Sequence, residues 1–156
     1  MKANNGKGNT ISRDEWETPG EIYNSIKLQY GINFDCCANK ENRKTQSYSN
    51  DFLKYEGIDN IIHWMNPPFS KAWIMISHFF KVIKKGVFIY RCDNLETGLW
   101  QKIIFPNADW IFFPKGRVNY EGLDGQGARF PSALIGKGLD IINNLDGITV
   151  YLKKEI

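Results

Sequence analysis

The sequence predicts an α/β domain, a sheet with helices on both of its faces. Short apolar runs at 32–35, 61–65, 87–90, 110–113, 132–135 and 148–152 alternate with stretches of helical period, which is the alternation that builds such a sheet. The chain of 156 residues shows no internal repeat and no second-domain boundary, so one core is expected. No apolar run approaches the roughly 20 residues that span a bilayer.

Residues 1–13 are polar, hold two lysines and one arginine, and read as a flexible arm before a single domain over 14–156. After Thr18-Pro19 the stretch 20–30 places Ile22, Ile26 and Tyr30 four apart, one face of a helix. Pro19 stands at its start and Gly31 at its end, both favoured positions. Ile32 to Asp35 reads as a short strand running into a loop, and 39–50 as polar and turn-rich. Ile61 to Met65 is an apolar run stopped by Asn66-Pro67-Pro68, which cannot continue a sheet interior. Ser70 is the expected N-cap of a helix through about Ile83, with Trp73, Ile76, Phe80 and Ile83 as its apolar stripe. Gly86 is expected to close that helix before a buried strand, Val87–Tyr90. A short helix over Leu95–Ile104 follows, then strands at 110–113, 132–135 and 148–152. Residues 114–131, Gly-rich with Lys115, Arg117 and Arg129, form a long loop or hairpin. Loops of that length are usually functional or mobile.

Composition excludes several classes. Hydrophobic residues make up 42% and aromatics 14%, too many for a disordered chain. A net charge of +3 tolerates a polyanionic partner without demanding one. Cys36, Cys37 and Cys92 form no CxxC pair and no zinc pattern with His63 or His78, and an odd count argues against a disulfide framework. With no signal core at the start, the expectation is a soluble protein of the reducing cytoplasm.

The strongest chemical signal is Asn66-Pro67-Pro68-Phe69 at the end of a strand. Open α/β sheets bind ligands just outside the carboxyl ends of their strands. Two prolines there fix the backbone and remove two donors, which leaves carbonyls facing outward. An exocyclic amine is a poor nucleophile because its lone pair is delocalised into the ring. An asparagine oxygen and a rigid carbonyl can each accept one of its N–H groups and favour the geometry that frees the lone pair. An adjacent ring can stack on the base and hold it in line with a methyl donor. Asn66, Pro67 and Phe69 fit these roles in turn, with Pro68 fixing the turn, and a base in a duplex must be flipped out to reach them.

Further segments fall in order around this motif. Asp14-Glu15-Trp16-Glu17-Thr18-Pro19 is similar to a D-x-W-x-T-P opening, and Phe34-Asp35-Cys36-Cys37-Ala38 to a D-x-C-A segment. Arg91 and Asp93 through Trp100 resemble an R-x-D-t-x-W stretch. Gly116-Arg117-Val118 and Pro131 to Ile135 resemble G-R-[IV] and P-S-x-L-I. With these, residues 14–136 resemble the phage-type DNA N6-adenine methyltransferases, the Dam family of phages. The resemblance implies a compact, shortened Rossmann-like sheet, S-adenosylmethionine as methyl donor, double-stranded DNA as partner, and a host-cell cytoplasm. Donor contacts implied are Trp16, Thr18 and Pro19 at the entrance, Asp35, Cys37 and Ala38 after the first strand, and the pair Asp51 and Phe52. One departure is the absence of a glycine-rich turn after the first strand. Cys and Ala are the next smallest choices there.

Each assignment has a structural counterpart. Trp16 serves equally as core, Asp35 as a turn cap, and Asp51 as the N-cap of a short helix. Cys36 reads as a packed small residue. Lys115, Arg117, Arg129 and Arg91 are the candidate DNA contacts, against a solvated loop and an Arg91–Asp93 ion pair. The tetrapeptide alone does not separate adenine N6 from cytosine N4 or a protein glutamine amide. A non-catalytic nucleic-acid-binding module, derived from a methyltransferase that lost donor binding, is the alternative of another class.

Overall fold

A computed structural model describes residues 2–4, 10–12, 17–118, 120 and 130–152. Within the segment expected to be an arm, β1 (Lys2–Asn4) pairs antiparallel with β2 (Thr10–Ser12). Next come α1 (Gly20–Tyr30), β3 (Phe34–Asp35), β4 (Ser47–Tyr48), β5 (His63–Met65), α2 (Ala72–Val82) and β6 (Gly86–Arg91). A π-helical stretch, Leu99–Ile104, runs into the single turn α3 (Phe105–Asn107), and β7 (Trp110–Pro114), β8 (Ser132–Lys137) and β9 (Gly147–Tyr151) follow.

One mixed seven-stranded sheet has the order β4-β3-β5-β6-β8-β7-β9. The pairs from β4 to β6 are parallel. Strand β8 lies antiparallel between β6 and β7, and β9 is antiparallel to β7 at the edge. The chain therefore steps outward from β3 to β4, then returns on the other side of β3 as β5. At that reversal the loop after β3 and the turn after β5 lead away from each other, and a cavity lies between the carboxyl ends of β3 and β5.

Both faces of the sheet are covered, as the apolar runs require. On one face Phe88, Tyr90, Ile111 and Ile135 pack against Ile76, Phe79 and Phe80 of α2 and against Trp100 and Ile104. On the other, Trp64, Val87, Ile89, Phe112 and Leu134 pack against Tyr23 and Ile26 of α1. Alternate residues of β6 thus serve opposite cores, the period-two rule of a strand. Close approach fixes Gly136, where an added Cβ would stand 2.1 Å from the Trp110 ring.

Five details differ from expectation. The buried face of α1 is centred on Tyr23 and Ile26, with Ile22 and Tyr30 half-buried at its margins. Tyr30 reaches from that margin to the Asp140 carbonyl. Ser70 is not the N-cap of α2: the prolines deliver the chain into a 3-10 turn, Phe69–Lys71, and Lys71 holds the cap position without a side-chain bond. Trp73 is 48% exposed, because the inward stripe runs through Met75, Ile76, Phe79, Phe80 and Ile83 while its indole lies against Gly98. Gly86 opens β6 rather than closing α2, which ends where Ile83 turns extended, and the third helical segment starts at Leu99. Gly31 does end α1, in the left-handed conformation with its N–H on the Lys27 carbonyl at 2.8 Å.

Candidate active site

Strand β5 is buried along its whole length, at 0, 1 and 0% exposure for His63, Trp64 and Met65, so its direction and end are fixed by the core. Asn66, half-buried, emerges from it, and Pro67 and Pro68 stop the ladder. Pro68 is extended (φ −56°, ψ 128°), and its carbonyl accepts the Lys71 N–H at 3.0 Å, which tightens the turn into α2. Beside it, the chain leaving β3 is tied down on both sides. The Cys36 N–H donates to the Trp64 carbonyl (2.8 Å), the Ala38 N–H to Ser49 (2.9 Å), and the Ser49 N–H back to Asp35 (2.9 Å).

Between these strand ends lies a cavity of about 300 Å³. Cys36, Cys37 and Ala38 form its β3 side, Asn66 and Pro68 its β5 side, and Phe52 and Met75 its apolar floor. Phe52 is 1% exposed and wedged against His78 (4.9 Å between centroids), so it contributes wall rather than a projecting ring. Asn39, Asn42, Ser49, Asn50 and Lys71 add polar groups that sequence reasoning had not singled out. The only signal for the first four is the polar 39–50 stretch, and Lys71 carries none. Asn39 and Asn42 are turn residues as well: the Asn39 oxygen accepts the Glu41 and Asn42 N–H groups, and Asn42 accepts the Asn39 N–H at 2.7 Å.

A second, smaller cavity of about 30 Å³ backs onto the first, and Cys37, Asn42 and Asn66 line both. Thr18, Asp35, Lys44 and Trp64 complete it, with Glu17 at its edge. Asp35 is 3% exposed. Its Oδ2 accepts the Lys44 N–H at 2.9 Å, while Oδ1 has no hydrogen-bond partner among the described residues. Thr18, 1% exposed, has an Oγ1 in the same condition. Burial pushes the Asp35 carboxyl up from 3.8 to about 6, against the pull of the Lys44 and Cys37 amides and the Lys44 cation.

Phe69 points the other way, half-buried in an aromatic cluster with Phe130 (5.4 Å), Tyr90 (6.2 Å) and Tyr120 (6.2 Å). The Tyr120 hydroxyl is held by Ser132 at 2.9 Å. Arg91 lies over the Phe130 ring at 4.5 Å and forks onto Asp93 at 2.8 and 2.7 Å. That bidentate bond raises the guanidinium further and holds the Asp93 carboxyl below its usual range. The ion pair foreseen as the structural reading of Arg91 is therefore present.

The other predicted residues scatter. Pro19 lines a third hollow, about 190 Å³, with Glu21, Ile22, Lys115 and Arg117, so it sits with the basic loop rather than the large cavity. Asp51 is exposed, precedes the turn Phe52–Lys54 without a capping bond, and pairs with Lys54 at 3.4 Å. Trp16 and Arg129 lie outside the described residues. Among the described residues no cluster of metal-ligating side chains occurs, and no helix is long and apolar enough to cross a membrane.

A family model described as DNA N-6-adenine-methyltransferase (Dam) matches residues 6–133, well over half of the chain. No curated protein matches it.

Proposed function

The chain belongs to the DNA N-6-adenine-methyltransferase (Dam) family, and on that premise we propose that Asn66–Phe69 is its catalytic centre and that the cavity beside Asn66 takes S-adenosylmethionine. The family assignment separates adenine N6 from cytosine N4 and from an amide, which the tetrapeptide alone does not. The single observation carrying the site reading is the position of Asn66. It stands at the carboxyl end of β5, at the sheet's winding reversal, on the rim of the large cavity.

The residues present fit the donor. Small side chains at 36–38 let a ligand approach the backbone where a glycine-rich turn would otherwise be needed. Amides and a hydroxyl from Asn39, Ser49 and Asn50 suit a ribose and an amino-acid end, Phe52 and Met75 suit a purine, and Lys71 suits a carboxylate. In this reading Cys37, Ala38 and Phe52 keep the donor role, Asp51 stands one residue off the wall, and Pro19 serves the DNA side. Bound there, the donor supplies an electrophilic methyl group on a sulfonium.

The chain's own residues do the rest. Asn66 Oδ1 and the Pro67 carbonyl each accept an N–H of the target amine and turn its lone pair toward the methyl group. Phe69, backed by Tyr90, Tyr120 and Phe130, offers a rigid stacking face to a flipped adenine. The N–CH3 bond would form as the donor's S–CH3 bond breaks to leave a neutral thioether, and the nitrogen would give up one proton to water. Lys115 and Arg117, exposed beyond β7, meet phosphates of double-stranded DNA, and Arg91 flanks the base pocket. Such an enzyme would work in the host-cell cytoplasm, where a phage chromosome is copied.

The test is ligand stabilisation. S-adenosylhomocysteine at about 100 times its dissociation constant should stabilise the fold by about 2.7 kcal/mol, a rise in melting temperature of about 8 °C for a domain of this size. No shift at millimolar ligand would remove the cavity assignment.

A further inference from the structure

Thr18 and Asp35 were expected on the donor, yet both face the small cavity behind Asn66. Each is more than nine-tenths buried and each directs one polar atom, Thr18 Oγ1 and Asp35 Oδ1, that finds no partner among the described residues. Burying a polar group without a hydrogen bond costs on the order of 1–3 kcal/mol, so two such atoms on one cavity call for a shared partner. The cavity, about 30 Å³, admits one water and little else.

We propose that this cavity holds one buried water, through which Asp35 and Thr18 orient the side-chain amide of Asn66 with its oxygen toward the target amine. Three hydrogen bonds hold the water, the usual number for a buried one. The water accepts from the Thr18 hydroxyl and from Asn66 Nδ2, and donates to Asp35 Oδ1, the acceptor-only group of the set. The carboxylate charge decides between the two ways the amide can face. It favours the N–H end inward, which leaves Oδ1 outward to accept from the base. Thr18 and Asp35 are positioning residues, acting on the substrate only through Asn66. The inference rests on the reading of Asn66 as catalytic.

Protonation of Asp35 would remove the selecting charge, so turnover should rise with pH as this carboxyl ionises near 6. The ionisable groups around it are Glu17 before α1, Tyr23 on α1, Lys44 on the loop after β3, and Cys36 and Cys37 beside it. Burial pushes Tyr23 up to about 12 and both thiols well up, and Asp35 adds to each rise, so none of the three titrates in this window.

The full chain is tested as Thr18→Val, Thr18→Ser and Asp35→Asn, with kcat, donor KM and S-adenosylhomocysteine stabilisation measured for each. Thr18→Val and Asp35→Asn should lose about tenfold or more in kcat, the scale of one hydrogen bond to a charged group, with donor KM and stabilisation kept. Thr18→Ser should restore the rate, and Asp35→Asn should abolish the rise near pH 6. Parent-like kcat in both disruptive variants, or a loss confined to donor KM, overturns the inference while the catalytic reading stands. A parent that transfers no methyl group overturns both. A high-resolution crystal structure of the parent with S-adenosylhomocysteine reads the site directly. Water bonded to Thr18 Oγ1, Asp35 Oδ1 and Asn66 supports it, and a dry cavity or one filled by the ligand refutes it.

Discussion

Replacing Asp35 by asparagine should make the protein more stable at neutral pH while slowing it. The folded carboxyl is pushed up to about 6, against an ordinary 3.8, and burial is the largest cause. A carboxyl whose folded value is raised binds more protons folded than unfolded between those two values. Stability contributed at this position therefore falls as pH rises from about 4 to about 6 and stays reduced above that. A gap of about two pH units, at about 1.4 kcal/mol each, amounts to about 3 kcal/mol against the fold at pH 7.5. Asparagine, like the protonated carboxyl, has no charge to desolvate, and the stronger bond that the charged form accepts from the Lys44 N–H is already included in that shift. The gain of about 3 kcal/mol corresponds to a melting temperature higher by about 9 °C. Urea denaturation of both proteins from pH 4.5 to 8 is the assay. The difference should open between about pH 4.5 and 6 and then hold level. A variant less stable than the parent at pH 7.5, or a difference independent of pH, would refute the claim that the Asp35 charge is held at a cost.

Other consequences can be checked with simple variants. Ala38→Trp should fill the large cavity from its β3 side and abolish the shift produced by S-adenosylhomocysteine, with the melting curve of the ligand-free protein still cooperative. Gly136→Ala drives a Cβ to within 2.1 Å of the Trp110 ring inside the sheet and should destabilise by about 1–3 kcal/mol in urea denaturation. Lys115→Ala and Arg117→Ala should each weaken DNA binding alike across sequences and reduce the salt slope by about one. Neither should alter S-adenosylhomocysteine binding.

The parts of the fold legible in the sequence were those buried on both sides. β6, β7 and β8 are nearly unbroken apolar runs, and nothing polar competes for their place. β4 was not legible, because Ser47–Tyr48 pairs through its backbone at an edge and carries no apolar signal. The phase of α1 is ambiguous in the sequence because Ile22 and Tyr23 compete for the inward face, and Tyr23 takes it because a tyrosine buries more surface and lies in edge contact with Trp64 at 5.7 Å. Ser70 failed as a cap because consecutive prolines set the backbone before a serine side chain can act.

The site divides in the same way. Asn66, Cys37 and Ala38 stand out in the sequence, since a Pro-Pro stop and a strand end rich in small side chains are unusual together, whereas Cys36 reads there as packing and yet lines the cavity. The amides of Asn39 and Asn42 did not, because they satisfy their own turn as well as facing the cavity. Thr18 and Asp35 were singled out for a donor contact, but the side chains face a separate small cavity that sequence spacing does not reveal.

Methyl transfer from labelled S-adenosylmethionine to unmethylated duplex DNA, with nucleoside analysis of the product, tests the central claim most directly when Asn66→Ala is run beside the parent. N6-methyladenine should form with the parent and fall by at least about a hundredfold with the variant, the usual loss when one transition-state hydrogen bond is removed. An Asn66→Ala protein as active as the parent, or label recovered on cytosine, would contradict the account.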